Sequence, residues 1–447
     1  MGMPEINTGD TAWLLMSAAL VLLMTPGLAF FYGGMVRAKS VLNMMMMSFI
    51  AIGIVSILWV LYGYSVAFGD TGNGIWGGLG QIGLGELIGQ AASNGGYYPI
   101  PALVFAMFQL MFAIITVALI SGAIADRTRF LGWGIFVAIW VTLVYFPVAH
   151  WVFDFGSTEL GGDDAGWLAN LGVLDFAGGT AVHINAGAAG LALAIVLGKR
   201  VGWPKTQMKP HSLPLVLLGS GLLYFGWFGF NAGSALGANQ TAAIAFTNTM
   251  LATAAGIVGW SILEKIRDGH PTSLGAASGA VAGLVAITPA CAFIVPYAAI
   301  GLGLVAGILC ALAVGLKFRF RIDDSLDVVG VHLVGGLVGS LALGFIATTK
   351  SGYSAVDGLF YGGGFDLLGK QAIGSFSVLA YSFLVTLVIG LVLKKTIGFR
   401  ISADEEIAGI DLAEHAETAY ELGSSGGGGH FAGIGQSALR NKEEVNA

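Results

Sequence analysis

Charged side chains are scarce in this sequence. Only 10% of its 447 residues are Asp, Glu, Lys or Arg, whereas an ordinary soluble domain carries about 25%. The mean hydropathy is +0.81, and apolar runs of about eighteen or more residues recur along the chain. This composition excludes an ordinary soluble protein and predicts a chain that crosses a membrane many times.

Cysteine and clustered basic residues are also nearly absent. The two cysteines, Cys291 and Cys310, both lie in apolar runs, which favours buried thiols and does not indicate a disulfide framework. The sequence pI is about 5.6 and no basic cluster is present, so we expect no nucleic-acid partner. His183 and His332 have no Cys, Asp or Glu at metal-ligand spacing. We therefore expect no enzyme activity, no cofactor and no bound metal.

The apolar runs predict eleven membrane spans in an all-α fold. Glycine is abundant, with 70 residues, and in such spans it lets helices approach closely. The predicted limits of the spans are 11–34, 41–68, 101–124, 131–154, 176–198, 213–236, 241–263, 274–296, 298–316, 326–348 and 374–396.

The basic residues test this count. Apart from Lys350 and Lys370, every Lys and Arg lies in a loop that follows an odd-numbered span, at the end of the eleventh span, or in the C-terminal tail. The positive-inside rule then predicts an external N-terminus and a cytoplasmic C-terminus. We therefore divide the chain into a transmembrane domain, 1–396, and a cytoplasmic tail, 397–447, which we expect to be disordered after about residue 423.

Two histidines occupy matching positions in the transmembrane domain. The segments that begin at His183 and His332 both read H-x-x-x-G-x-x-G, and they lie in the fifth and tenth predicted spans. Because five is an odd number, the second set of spans enters the membrane from the opposite side. The pattern predicts two inverted five-helix repeats, about 11–198 and 213–348, with an extra helix at 374–396 and a site between the repeats.

Each histidine shares a helix face with glycines four and seven residues later. The imidazoles are therefore expected to point into the protein, where each could simply hydrogen-bond a neighbouring helix. Because ionisable groups are costly inside a membrane, a functional interpretation is favoured. Two neutral rings can share one proton, and such a pair suits a small neutral molecule better than a bare alkali cation, which needs several oxygen ligands.

Aromatic residues and one aspartate supply further candidates. The third span contains "VFAMFQLMFAIIT" and the sixth contains "YFGWFGFNAGSA", with Tyr224 and Asn231. Such rings usually face lipid or the core, but together they could form a vestibule for a cation and a narrow gate. Asp175 is interpreted as an N-cap that also adds negative potential, and Asp327 could cap the tenth span in the same way.

Five separated stretches resemble the landmarks of the ammonium transporter family (Amt/Mep/Rh), bacterial type. The resemblance extends from about residue 10 to about 420, and it implies a homotrimer with one pore in each subunit. It also implies a regulatory tail, which in family members is often a target of the PII nitrogen-signalling protein. The stretches are "DFAGGTAVHINAGAAGLALAIVLGKR", "FFYGGMVR", "GYSVAFG", "GWFGFNAGSA" and "DVVGVHLVGG".

The resemblance also implies roles for residues at the outer end of the pore. Phe112 and Ser234 would help to form an external ammonium site, with Asp175 as a structural and electrostatic acid. Phe112 and Phe230 would be stacked rings that block the pore. Where the family usually has a tryptophan this chain has Phe153, which is a weaker partner for a cation.

Deeper in the pore the resemblance implies that His183 and His332 are the paired histidines and that Trp227 lines the conduit. A family glycine after the second histidine is Leu333 here, which could reshape the surroundings of His332.

The function that these observations predict is ammonium transport in the plasma membrane. Ammonium, or methylammonium as an analogue, would bind outside and lose a proton, and ammonia would then cross an apolar pore. Two alternatives are a Rh-like channel for ammonia or carbon dioxide gas and an ammonium sensor that signals through its tail.

Overall fold

A computed structural model describes residues 5–69, 74–156 and 165–420 of the chain. The predicted disorder after residue 423 concerns residues that lie outside this description. Eleven helices coincide with the predicted spans: α1 (Thr8–Met35), α2 (Ala38–Phe68), α3 (Ala102–Ile124), α4 (Phe130–Phe153), α5 (Gly179–Leu197), α6 (Leu213–Gly233), α7 (Gln240–Asp268), α8 (Ser273–Ile287), α9 (Pro296–Phe320), α10 (Val329–Ile346) and α11 (Asp366–Thr396).

The chain is a multi-pass, helical membrane protein, because ten of these helices are long and apolar enough to cross a membrane. The exception among the described residues is α8, which has 15 residues and rises about 22 Å, less than the roughly 30 Å of a hydrocarbon core. Most predicted limits agree within a few residues. The largest differences are at α8, which ends at Ile287 and not at 296, and at α11, which begins at Asp366 and not at 374.

Short elements connect and extend the long helices. Two strands, β1 (Ala91–Ser93) and β2 (Tyr97–Pro101), form an antiparallel hairpin before α3. The tail contains α12 (Ala403–Ala408) and α13 (Ile410–His415). The remaining short helices are Trp167–Leu171, Ile82–Leu87, Thr349–Ser351 and Leu359–Tyr361.

Glycine allows the helix axes to approach closely, as predicted. A Cβ atom on Gly219 of α6 would lie 2.2 Å from the backbone nitrogen of Phe31 in α1. The same holds between α9 and α7, where a Cβ on Gly303 would lie 2.1 Å from the Ala252 carbonyl oxygen. At these glycines the backbones of two helices are in direct contact. Because the hydrophobic effect does not drive helices together in lipid, this close van der Waals packing is what stabilises their association.

Both histidine helices begin with a π-helical turn. The turns comprise Gly179–Ile184 at the start of α5 and Val329–Leu333 at the start of α10. π-helical turns are rare in proteins as a whole, but those that occur are often found at functional sites. They carry His183 and His332 respectively, so the two predicted residues occupy equivalent local structures.

An ionic network ties together the loops at one end of the molecule. Arg200, after α5, lies 3.2 Å from Asp126, after α3, and 2.8 Å from Asp323, before α10. Arg37, after α1, reaches the same Asp126 carboxylate at 3.4 Å. All these carboxylates are buried, and breaking a buried ion pair is costly. We call this end of the molecule the tail end.

The tail docks on this network. The carboxylate of Glu406 accepts a hydrogen bond from the backbone of Val201 and pairs with Arg400 at 2.8 Å. Asp411 accepts hydrogen bonds from the backbone N–H groups of Leu42 and Asn43 at the start of α2. The part of the tail up to residue 420 is therefore a packed element and not a free extension.

The close approach of α1 and α6 leads to a stability prediction. Gly219→Ala should destabilise the protein by about 1–3 kcal/mol, because the added methyl group overlaps the α1 backbone. Gly221→Ala is the matched control, since a Cβ there meets nothing within 4 Å. The measurement is the thermal denaturation midpoint in detergent. Equal midpoints for the two variants would contradict the proposed contact.

Candidate functional site

A wide cavity of about 390 Å³ opens at the end of the molecule opposite the tail. Its wall includes all four residues that the resemblance assigns to an external site, Phe112, Phe153, Asp175 and Ser234. The Ser234 hydroxyl donates to the carbonyl oxygen of Phe230 at 2.8 Å. Its oxygen therefore keeps lone pairs with which it can accept a hydrogen bond from a ligand.

The floor of the wide cavity is aromatic. The rings of Phe112 and Phe230 lie with centroids 4.3 Å apart, inclined by 39°, and Phe108 packs edge-on against Phe112 at 4.9 Å. Phe112 lines the wide cavity, whereas Phe230 lines the next cavity along the same path. The two rings therefore lie between the cavities.

Behind these rings lies the histidine cavity, which is lined by His183, His332, Trp227 and apolar side chains. Its volume is about 10 Å³, roughly the space that one water molecule requires. A cavity this small and apolar does not hold a hydrated metal ion.

The two imidazoles meet in this cavity. Their Nδ1 atoms are 3.3 Å apart, and the ring centroids are 5.3 Å apart at 24°. Trp227 and Phe230 also stack on His183, with ring centroids 5.4 Å and 6.1 Å from that of the imidazole. The Nε2 atom of His183 is buried without a hydrogen-bond partner among the described residues, so it is available to a guest in the cavity.

Glycines place the rings by a reciprocal contact. A Cβ on Gly187, four residues after His183, would lie 2.5 Å from the backbone nitrogen of Leu333. A Cβ on Gly336, four residues after His332, would lie 2.9 Å from Ile184. Each histidine helix therefore presses its glycine against the residue that follows the other histidine. This confirms that the glycine faces allow close approach.

Asp175 caps α5, as predicted. Its two carboxylate oxygens accept four backbone hydrogen bonds of 2.7–3.1 Å, from Gly178, Gly179, Thr180 and Ala181. These N–H groups have no helical acceptor at the start of a helix. Asp175 thus holds the π turn of His183 while contributing a carboxylate to the wall of the wide cavity.

The prediction that Asp327 caps α10 is wrong. Asp324 does so, accepting from the backbone of Val328 at 3.1 Å and of Val329 at 2.8 Å. Burial and the neighbouring charge of Asp327 raise the pKa of Asp324 to about 6. Asp327 instead pairs with Lys317 at 2.6 Å. Asp324 precedes His332 by eight residues, and Asp175 precedes His183 by the same number. This equal spacing is the sequence signal that identifies Asp324 as the cap.

A third small cavity continues from His332 toward the tail end. It is lined by Phe31, Tyr32, Ser278 and Asp327. Like the histidine cavity it measures about 10 Å³. The three cavities therefore lie in series, and His332 lines both of the narrow ones.

Some candidates lie elsewhere, and some lining residues escaped prediction. Tyr224 stacks on Phe228 and lines none of these three cavities, while the Asn231 amide donates to Thr249. Gln109 does line the wide cavity. It was detectable in principle, because it is the one polar side chain inside "MFQLMF". Tyr98 and Ser278 line cavities from segments that carried no signal.

Leu333 lies away from the pore. It packs with Ile184 and Ala188 in a small apolar cluster and lines none of the three cavities. It thus occupies the interface between α5 and α10, and it does not narrow the path beside His332.

Comparison with known proteins gives one consistent result. The model of the Ammonium Transporter Family matches residues 12–420. An ammonium transporter from Mycobacterium tuberculosis is 57% identical over 96% of this chain and 93% of its own length. The crystal structure of Candida albicans Mep2 has a TM-score of 0.83 at 35% identity, covering 93% of this chain and 91% of that one. A structure titled Sensor Amt Protein has the same TM-score at 30% identity, covering 91% and 98%.

The Asp175 cap leads to a second prediction. Asp175→Ala should destabilise the protein by more than about 3 kcal/mol, because four buried N–H groups lose a charged acceptor. Asp366→Ala is the control, since Asp366 also begins a helix but caps no backbone group and is largely exposed. Thermal denaturation in detergent compares the two. A midpoint for Asp175→Ala as high as that of the control would refute the role.

Proposed function

The chain belongs to the ammonium transporter family, and from this premise we propose how its residues carry ammonium. Ammonium binds in the wide cavity, transfers a proton to solvent water at the aromatic gate, and crosses the histidine cavity as ammonia. It is protonated again beyond the third cavity. The chain acts as a transporter and not as an enzyme, since no bond other than N–H is broken.

Recognition at the wide cavity rests on three features that suit a small cation. The faces of Phe112 and Phe153 carry negative potential that attracts a cation. The Ser234 oxygen can accept one N–H from ammonium. The Asp175 carboxylate adds negative charge at the wall, although its four backbone hydrogen bonds keep it from leaving the helix start.

The gate and the histidine cavity favour a neutral guest. Moving a bare charge into an apolar space of about 10 Å³ costs several kcal/mol or more in lost hydration, whereas ammonia loses only weak hydrogen bonds. The paired imidazoles offer ring nitrogens that donate or accept according to tautomer. The single observation that carries the proposal is this pair, 3.3 Å apart, beside a space the size of one small molecule.

We further propose eleven crossings of the plasma membrane, with the N-terminus outside and the tail in the cytoplasm. The segregation of Lys and Arg to alternate loops supports this orientation. The inverted repeats, 11–198 and 213–348, gain support from the matching Asp, His and Gly positions and from the two π turns. Family membership supports a homotrimer with a pore in each subunit.

The docked tail is proposed to be regulatory. Glu406 contacts Val201, the residue after Arg200. Arg200 in turn holds Asp323, which is next to the Asp324 cap of the His332 helix. A partner that lifts the tail, such as a PII protein, would therefore act on the inner half of the pore.

A sensor is the second candidate, because one solved structure that resembles the chain is titled Sensor Amt Protein and the tail is docked. A sensor predicts tight ammonium binding without flux, and a tail deletion that abolishes signalling. A Rh-like gas channel would require carbon dioxide permeability, against which the closed Phe112–Phe230 contact argues.

Replacing the paired histidines tests the transport proposal. His183→Ala and His332→Ala should each lower methylammonium flux by on the order of tenfold, which corresponds to about 1.4 kcal/mol in the barrier. The reason is that each change removes one ring and leaves the other unpaired. The measurement is uptake into proteoliposomes, with His270→Ala, an exposed site, as control. Unchanged flux in the double variant would remove the proposed role.

The wide cavity yields a separate prediction. Phe153→Trp should lower the half-saturating methylammonium concentration by about two- to fivefold, because tryptophan is the stronger partner for a cation. Phe360→Trp serves as control, since Phe360 is exposed and lies outside the cavity. Uptake kinetics at varied methylammonium measure both. An affinity that does not change, or that falls, would argue against a cation contact at Phe153.

A further inference from the structure

The hairpin before α3 turns at the wall of the wide cavity. Ser93 pairs with Tyr97, which leaves a loop of three residues between the strands. The loop consists of Asn94, Gly95 and Gly96, and the two glycines have φ angles of 69° and 139°, which glycine adopts readily. Both Asn94 and Gly95 line the wide cavity. Asn94 is only 7% exposed, so its amide group must find partners within the protein.

The Asn94 side chain finds these partners in the chain that leaves α4. Its Nδ2 atom donates to the carbonyl oxygen of Phe153 at 2.8 Å, and its Oδ1 atom accepts from the backbone N–H of Phe155 at 2.7 Å. The carbonyl requires a donor and the N–H requires an acceptor, so only one orientation of the amide satisfies both. One side chain therefore fixes the end of α4 against the hairpin.

Further contacts hold the same segment. The backbone N–H of Gly95 donates to the carbonyl oxygen of Gly156 at 2.5 Å, and a Cβ on Gly95 would lie 2.7 Å from the Cβ of Phe155. The Asp154 carboxylate accepts from the Gly156 N–H at 2.9 Å and lies 2.9 Å from the Nδ1 atom of His150. The segment after α4 is thus tied both to the hairpin and to α4 itself.

Phe153 is the last residue of α4, and its ring reaches the start of α5. The side chain lines the wide cavity. A Cβ on Gly178 would lie 3.6 Å from the Cζ atom of Phe153, and the Gly178 N–H donates to Asp175. The ring therefore lies next to the helix start that contributes the Asp175 carboxylate to the cavity wall. A backbone shift at Phe153 would move the ring relative to that carboxylate.

We propose that Asn94 is a positioning residue for cation recognition and that it acts through the ring of Phe153. This inference rests on the proposed function, because it takes Phe153 as part of the ammonium site. A cation–π contact requires the cation to lie over the face of the ring, within about 6 Å of its centroid. The wide cavity measures about 390 Å³, so the fixed backbone of Phe153 decides where that face lies. A ring that is ordered beforehand costs less to order when the ligand binds.

Methylammonium binding and uptake by the full-length protein test this proposal. Asn94→Ala should raise the dissociation constant, measured by isothermal titration calorimetry in detergent, by about three- to tenfold. The half-saturating concentration for uptake into proteoliposomes should rise equally, while the maximal rate stays within about twofold. The reason is that the maximal rate depends on the gate and the histidine cavity, which Asn94 does not line. Ser93→Ala, an exposed neighbour in the same hairpin, is the matched control and should behave as the unmodified protein does.

A double-mutant cycle separates positioning from direct binding. In a Phe153→Ala background, Asn94→Ala should change the dissociation constant by less than about 1.5-fold, because the ring that Asn94 positions is absent. If Asn94 bound the cation itself, the two substitutions would weaken binding independently. That additive result would overturn the proposal.

A second variant disturbs the same segment and leaves the amide in place. The methyl group of Gly95→Ala would press on Phe155, so this variant should also raise the dissociation constant. It decides the question if Asn94→Ala does not fold. Gly219→Ala, which we expect to destabilise the protein at a distance from the wide cavity, should leave the dissociation constant unchanged. Thermal denaturation midpoints in detergent identify the variants that are folded.

Two outcomes in the variants would also overturn the proposal. One is an unchanged dissociation constant in the folded Asn94→Ala and Gly95→Ala proteins. The other is an equal rise in Gly219→Ala, which would indicate a general loss of stability. Failure of the transport proposal gives a different result, because the unmodified protein would then bind methylammonium without taking it up. The dissociation constants of the variants would still decide the role of Asn94.

Discussion

The interior of a membrane contains no water to solvate a polar side chain. Each imidazole there must therefore find a hydrogen-bond partner within the protein. His183 and His332 satisfy this constraint by facing one another at 3.3 Å, and much of the structure serves that contact. Gly187 and Gly336 remove the side chains that would hold α5 and α10 apart. Trp227 and Phe230 stack on His183. The polar edge of the pair is therefore presented to a space that admits one small guest and little water.

The helix starts are built by the same means in both halves. Asp175 and Asp324 each lie eight residues before a histidine, and each accepts backbone N–H groups that the start of a helix leaves unpaired. The halves differ in their surroundings. Asp175 contributes a carboxylate to the wall of the wide cavity. Asp324 lies among the ionic residues of the tail end, where burial and Asp327 raise its pKa to about 6. One local motif therefore lies beside the wide cavity in one half and near the ionic network of the tail end in the other.

Contacts at the tail end lead from the tail to the loop before the His332 helix. Glu406 of the tail binds the backbone next to Arg200, and Arg200 binds Asp323. Asp323 adjoins Asp324, which caps the π turn that carries His332. In a close-packed protein, a turn whose contacts change adopts another discrete arrangement and does not deform gradually.

The sequence by itself determined the helices, the alternation of basic loops and the identity of the two histidines. These follow from local properties: long apolar runs, loop charge, and glycines at helical spacing. It also predicted the cap at Asp175, because capping is local. The tertiary structure alone decided which residues meet. It assigned the second cap to Asp324 and not Asp327, placed Tyr224 and Asn231 outside the pore, and brought Gln109, Tyr98 and Ser278 to cavity walls. Contacts between residues far apart in the chain depend on how helices pack, and periodicity within one helix carries no information about its neighbours.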